Sequence, residues 1–308
     1  MQINLKFIVD ANAIAWHLLD YASNWHYYVH ENLGKWVKKN VVERDKLHNI
    51  LESYANMRTP FGWQEEINLL NWAARGFSDE MFSKLRPLVN DWLELKLNDG
   101  RTIKEAANQA EAQIYPYVEI LQSKFAALNV DEMVGKLHKL LPEAEIFDEL
   151  PAYVVWSPIE GSTQGGANGA GVYSEIGIPT SEKTLESTFE VLVHEAFHKL
   201  VDPSVTFDSW KELEEIDQKY EHIQEGNQSL NGHLEEMVIY SAVDVMLFGE
   251  DPKVMLETNV KSSPKYKQMW EHTYKFFPIL DDYVKGRAEA DITKERIIAF
   301  AREIVGNF

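Results

Sequence analysis

Read by the spacing of its apolar positions, the chain is a series of helices interrupted by a few short strands. Ile3, Leu5 and Phe7 alternate with Asn4 and Lys6, the period of a half-buried strand. From residue 11 to about 127, aromatic and aliphatic residues recur at helical spacing. This predicts helices over 16–37, 42–57, 63–74, 78–97 and 103–126, separated by Thr59-Pro60-Phe61-Gly62, Gly76 and Asn98-Asp99-Gly100. A shorter helix over 131–141 is closed by Pro142. The apolar run Ala152-Tyr153-Val154-Val155-Trp156-Ser157, bounded by Pro151 and Pro158, reads as a strand. After the glycine-rich residues 161–171, Val172-Tyr173-Ser174-Glu175-Ile176 reads as its return strand. The second half continues with helices over 181–201, 208–224, 233–248, 265–284 and 292–305. This pattern separates a mainly helical region, 1–150, from a mixed region, 151–308.

Composition narrows the function classes. With 45% hydrophobic residues over 308 positions the chain can bury a substantial core. A net charge of −19 repels phosphate backbones, so neither nucleic acid nor an anionic membrane is expected as a partner. No run of residues approaches a membrane span and the first residues lack a signal-peptide pattern, so as written the chain reads as soluble and cytoplasmic. There is no cysteine, so any metal ligand must be His, Asp or Glu.

The stretch that changes the picture is His194-Glu195-Ala196-Phe197-His198, on the helix predicted over 181–201. Leu185, Phe189, Leu192, Val193, Ala196 and Leu200 form its apolar stripe, Thr180 or Ser181 can cap its start, and Asp202-Pro203 ends it. The H-E-x-x-H spacing sets two imidazoles one turn apart on one face with a carboxylate beside them, the arrangement that holds zinc and supplies a general base. Chance predicts roughly 0.03 occurrences in a chain of this composition, so coincidence is a poor explanation. A catalytic zinc commonly takes a third protein ligand. Residues 199–204 offer neither the Gly nor the third His of a metzincin. Glu235 and Glu236, at the start of the helix predicted over 233–248, are the leading candidates. Asp217, in an acidic run, reads as part of a solvated helix face. His26 and His30 form another pair four apart, but their aromatic neighbours favour packing. His222, His233 and Tyr240 are the nearest candidates for a proton donor or oxyanion partner.

A helix carrying HEAFH, followed by a helix carrying a glutamate, resembles the gluzincin metallopeptidases. The segment from Tyr153 to Val245 is similar to a group of uncharacterised prokaryotic predicted metallopeptidases. It shares with them the aromatic strand ending in Ser157-Pro158, the glycine-rich connection, V-H-E-A-F-H-K-L-V-D-P, and a following helix that begins with Glu236. The resemblance implies an α+β, mainly helical fold with a zincin-like core and a small antiparallel sheet beside the motif helix. It implies Zn²⁺ on His194, His198 and Glu236, with Glu235 as the alternative third ligand, and Glu195 as general base. It also implies a peptide or protein substrate, paired along an edge strand near the metal helix. Tyr240 stands one turn after Glu236, where thermolysin-like gluzincins carry an aspartate, and is the preferred oxyanion candidate. The alternative is a catalytically inactive peptide- or protein-binding module of the same architecture.

Overall fold

The computed structural model describes residues 3–25, 31–78, 80, 82–144, 147, 149–168, 171–219, 229–262 and 264–306. Its first part runs β1 (Asn4–Ile8), α1 (Ala11–Ala22), α2 (Glu31–Asn40), α3 (Arg44–Arg58), α4 (Glu66–Ala74), α5 (Arg86–Leu93), α6 (Ile103–Ala127) and α7 (Val130–Leu140). Three strands follow, β2 (Glu149–Ser157), β3 (Gly165–Asn168) and β4 (Gly171–Gly177). The chain then continues as α8 (Glu182–Leu200), α9 (Pro203–Ser209), α10 (Lys211–Lys219) and α11 (Leu230–Tyr240). It ends with α12 (Pro252–Ser262), α13 (Lys267–Val284) and α14 (Ala290–Gly306). The chain is thus mainly helical with one small sheet, compatible with an α+β class.

The helix boundaries follow local chemistry. The helix expected over 16–37 stops at Ala22: the Ser23 hydroxyl donates to the Asp20 carbonyl, and Asn24 takes a positive φ of 55°. Of the expected 78–97 helix only Arg86–Leu93 is α-helical, with Pro87 in its first turn where the missing N–H costs nothing. Asp202-Pro203 ends α8 as expected but also begins α9, since Asp202 caps the Ser204 amide and Pro203 opens the new helix. The helix expected over 233–248 starts three residues earlier, at Leu230, because Ser229 accepts from the Gly232 amide and caps it. Beyond Tyr240 it widens into a π-helical stretch, Ser241–Leu247.

The sheet corrects the expectation of an antiparallel pair. Strand order is β1-β2-β4-β3, and β4 lies parallel to β2, in register from Ala152 with Val172 to Ser157 with Gly177. The antiparallel partner of β4 is β3, formed inside the glycine-rich stretch that the sequence presents as a connection. Four residues with little side chain give no alternating pattern to read. Once they form a strand, they reverse the chain and leave β4 running the same way as β2. Every residue of β4 is buried, as befits a strand flanked on both sides and covered on both faces, and β3 takes the edge.

By compactness the chain splits into two units. One unit comprises Leu5–Lys124 and Leu150–Glu195, and its core includes Trp16, Tyr54, Trp72, Trp92 and Tyr153. The other comprises Met1–Asn4, Phe125–Glu149 and Ala196–Phe308, with Phe197, Phe207 and Phe276 in its core. Among the described residues, no helix is long and apolar enough to cross a membrane.

Candidate metal centre

Helix α8 forms as its sequence dictates. Ser181 caps it, its hydroxyl accepting from the Thr184 amide at 3.1 Å and its carbonyl from the Leu185 amide at 3.0 Å. Leu185, Phe189, Leu192, Val193, Ala196, Phe197 and Leu200 are all buried. Each of the larger apolar side chains among them contributes on the order of 1.5–3 kcal/mol of burial. With this stripe fixed inward, His194, Glu195 and His198 fall on the flank.

The expected ligand set comes together. Among the described residues, His194, His198 and Glu236 form a group in which one ligating atom from each lies within 4.8 Å of the others. Glu236 comes from α11, so the convergence is a fact of tertiary structure and not of the motif. Its Oε2 is 3.7 Å from His198 Nε2. Two ligands each about 2.1 Å from a tetrahedral ion stand about 3.4 Å apart, so this one pair needs only a small closure to share an ion.

The two nitrogens of His198 have divided roles. Nδ1 lies 2.6 Å from Glu235 Oε1. A carboxylate only accepts, so the Nδ1 proton points to Glu235, and in the neutral ring the Nε2 lone pair faces Glu236. This separates the adjacent glutamates: Glu236 belongs to the group that could hold a metal, whereas Glu235 pairs with the opposite nitrogen of the His198 ring, a contact that carboxylates commonly make at metal-binding histidines. Glu235, the alternative third ligand, is not part of that group among the described residues. Burial works against a charge on the His198 ring, but the Glu236 and Glu235 carboxylates outweigh it and hold its pKa well above the ordinary imidazole value. The site draws positive charge, and its imidazole and carboxylate donors suit a divalent transition metal.

The remaining candidates separate cleanly. Asp217 is committed elsewhere: its Oδ1 accepts from the Leu230 amide at 3.2 Å and ties α10 to the first residue of the ligand helix. His233 is fully buried, with Nε2 3.1 Å from His272 Nδ1. Burial, and then His272, bring its pKa down to about 4, so at neutral pH the ring is uncharged and is not an imidazolium acid. Tyr240 packs edge-on against Trp270, ring centroids 4.6 Å apart. His26, His30 and His222 lie outside the described residues.

Glu195 is flanked by something the motif does not announce, the edge strand β3. A Cβ placed on Gly165 would stand 2.6 Å from Val191 Cγ1, 2.9 Å from the Tyr173 carbonyl oxygen and 3.0 Å from Glu195 Cγ. The backbone of β3 therefore runs directly against α8 at Glu195, and only glycine permits that approach. The run of glycines was the available signal, because glycine inside a strand marks a close backbone approach. No protein-family model, no curated protein and no solved structure matches this chain, so it is the donor set itself, and not a relative, that indicates the chemistry of the site.

Proposed function

We propose that this chain is a zinc-dependent peptidase, with His194, His198 and Glu236 as ligands and Glu195 as general base. The observation that carries the reading is the convergence of two imidazoles and one carboxylate beside a glutamate that adjoins the free side of a sheet. Zinc supplies Lewis acidity, polarising a carbonyl and lowering the pKa of water. Glu195 removes a proton from the attacking water as the C–O bond forms, and delivers it to the nitrogen as the C–N bond breaks. Glu235 keeps His198 in the tautomer that leaves Nε2 unprotonated. Tyr240, one turn after Glu236 on α11, is the side chain assigned to the developing oxyanion.

Strand β3 supports a peptide as substrate over other amides. It ends the sheet, so its outer N–H and C=O groups are placed to pair with an extended chain, and Gly165 sets that chain's position relative to Glu195. Gly165→Ala tests this contact. The new methyl meets a backbone oxygen and cannot be accommodated by a side-chain rotation alone, so β3 must move off α8. Expected are a destabilisation of about 1–3 kcal/mol in denaturant titration and a rise of roughly tenfold in KM for extended peptides. A variant with wild-type stability and KM refutes the close packing of strand on helix.

The decisive test of the reading is metal content after purification without chelator, together with cleavage of a peptide library. Stoichiometric zinc with hydrolysis supports a peptidase. Zinc with peptide binding but no hydrolysis supports the binding-module alternative. A chain free of transition metal refutes both.

A further inference from the structure

Behind the sheet, in the unit that holds β3, lies a set of buried polar side chains that the proposed chemistry does not use. Glu66, at the start of α4, is fully buried. Its Oε2 accepts from the Asn168 amide nitrogen at 2.9 Å, and its Oε1 accepts from the Tyr21 hydroxyl at 2.9 Å. The Tyr21 hydroxyl also hydrogen-bonds the Tyr173 hydroxyl. The Tyr173 ring lies over β3, where a Cβ on Gly166 would meet it at 2.6 Å. Alongside, Glu175 on β4 is held by His17 Nε2 at 2.9 Å and by the Ser162 hydroxyl at 2.6 Å. These groups sit where an apolar core would be less costly to build, since each must be desolvated and fully paired. Their common product is the placement of one short strand. Asn168 is the last residue of β3, and through it Glu66 ties the far end of the strand to α4, while Gly165 abuts Glu195 at the near end.

We propose that Glu66 is a positioning residue for the proposed peptidase, a buried carboxyl that fixes the edge strand β3, and with it a bound peptide, beside Glu195. The inference rests on the peptidase reading for its consequence, but not for its structural content. A strand of four residues, two of them glycine, has little side-chain packing of its own to hold it, so the anchor at Asn168 sets its position. Glu66 does this as a neutral acid below about pH 8, its Oε1 then carrying the proton toward the Tyr21 oxygen while Oε2 still accepts from Asn168: burial, and then the nearby Asp20 carboxylate, push its pKa up to about 8. The charged or titratable groups facing it are Asp20 and Tyr21 on α1, Arg58 on α3 and Tyr173 on β4. Because the folded-state value is raised above the ordinary 4.5, the stability Glu66 contributes is complete below the unfolded value and is lost as pH rises through about 8.

Hydrogen exchange read at the amides of Gly165–Asn168 tests this without needing peptide or metal, with the amides of Ala152–Ser157 in β2 as reference. In Glu66→Ala, protection at β3 should fall roughly tenfold while β2 changes little. In Glu66→Gln the amide oxygen can still accept from Asn168 and the amide nitrogen can donate to Tyr21. Protection should match the wild-type level near pH 5, and should persist through pH 8, across which the wild-type strand loosens. If the alanine variant does not fold, the wild-type and glutamine pH series decides alone. Equal loss at β2 and β3 in the alanine variant, or an identical pH dependence of β3 protection in wild type and Glu66→Gln, overturns the proposal. With a hydrolysed peptide in hand, Glu66→Ala should raise KM about tenfold with kcat little changed. A wild-type chain that hydrolyses no peptide refutes the peptidase reading, while the exchange data still decide on Glu66.

Discussion

Glu195→Gln is expected to keep full metal content while lowering peptide turnover by about 10²–10⁴-fold, the worth of a positioned general base. The reason for choosing glutamine is steric. It preserves the shape that packs against β3 at Gly165, so the loss cannot be assigned to a displaced strand. It also leaves His194, His198 and Glu236 untouched, so the ligand group stays intact. What it removes is an acceptor able to hold a proton between water and the leaving nitrogen. The expected pattern is a fall in kcat and kcat/KM together with KM nearly constant, because a base acts in the transition state and not in ground-state binding. Turnover equal to wild type, with metal bound in both, rejects Glu195 as the base. Unaltered peptide affinity with no turnover in either protein favours the non-catalytic binding module.

The second large effect separates two adjacent glutamates. Glu236→Ala should abolish stoichiometric zinc binding, because it deletes one of three donors and leaves only the two imidazoles of α8. Glu235→Ala should bind zinc still, about 10–100-fold more weakly, since it removes the carboxylate that orients His198 through Nδ1 and leaves the Nε2 donor in place. Competition titration against a chromophoric chelator measures both affinities on one scale. The reverse ranking, with Glu235→Ala metal-free and Glu236→Ala merely weakened, rejects the assignment drawn from the structure. Glu235→Gln is informative beside them: its side-chain oxygen can still accept from Nδ1, so it should lie between wild type and the alanine variant.

These two predictions rest on different kinds of information. His194, Glu195 and His198 are legible in the sequence because all three sit within one helical turn. Periodicity places them on one flank once Leu185, Phe189, Leu192, Val193 and Leu200 claim the buried face. Glu236 is legible only as one of several acids downstream. Glu235, Glu236 and Asp217 all suit a ligand by residue type. What distinguishes them is rotation about α11 and a cap: Glu236 faces His198 Nε2, Glu235 faces Nδ1, and Asp217 takes the Leu230 amide. A one-residue step along a helix turns a side chain through about 100°, a difference no composition or spacing rule can resolve without knowing where the opposing helix lies.

The sheet shows the same division. Ala152–Ser157 and Val172–Ile176 announce themselves as strands through continuous β-branched and aromatic runs. Their parallel order follows from β3, whose glycines carry no pattern and whose strand character comes from hydrogen bonds to β4 and from the space left by Val191, Glu195 and Tyr173. The buried carboxyl of Glu66 is likewise invisible in the chain, where it is one acid in Gln64-Glu65-Glu66 at a helix start. Its role appears only when Asn168, about one hundred residues later, is brought to within a hydrogen bond of it.

By itself, the sequence determined most of the helices, three of the strands and the paired imidazoles with their neighbouring carboxylate, because these depend on contacts within a few residues and on a periodicity that local geometry enforces. Only the tertiary structure decided which glutamate completes the ligand group, which supports a ligand, and which strand borders Glu195. Those outcomes are set by contacts between residues 30 to 102 positions apart, whose energies depend on the orientation of whole elements and leave no trace in local pattern.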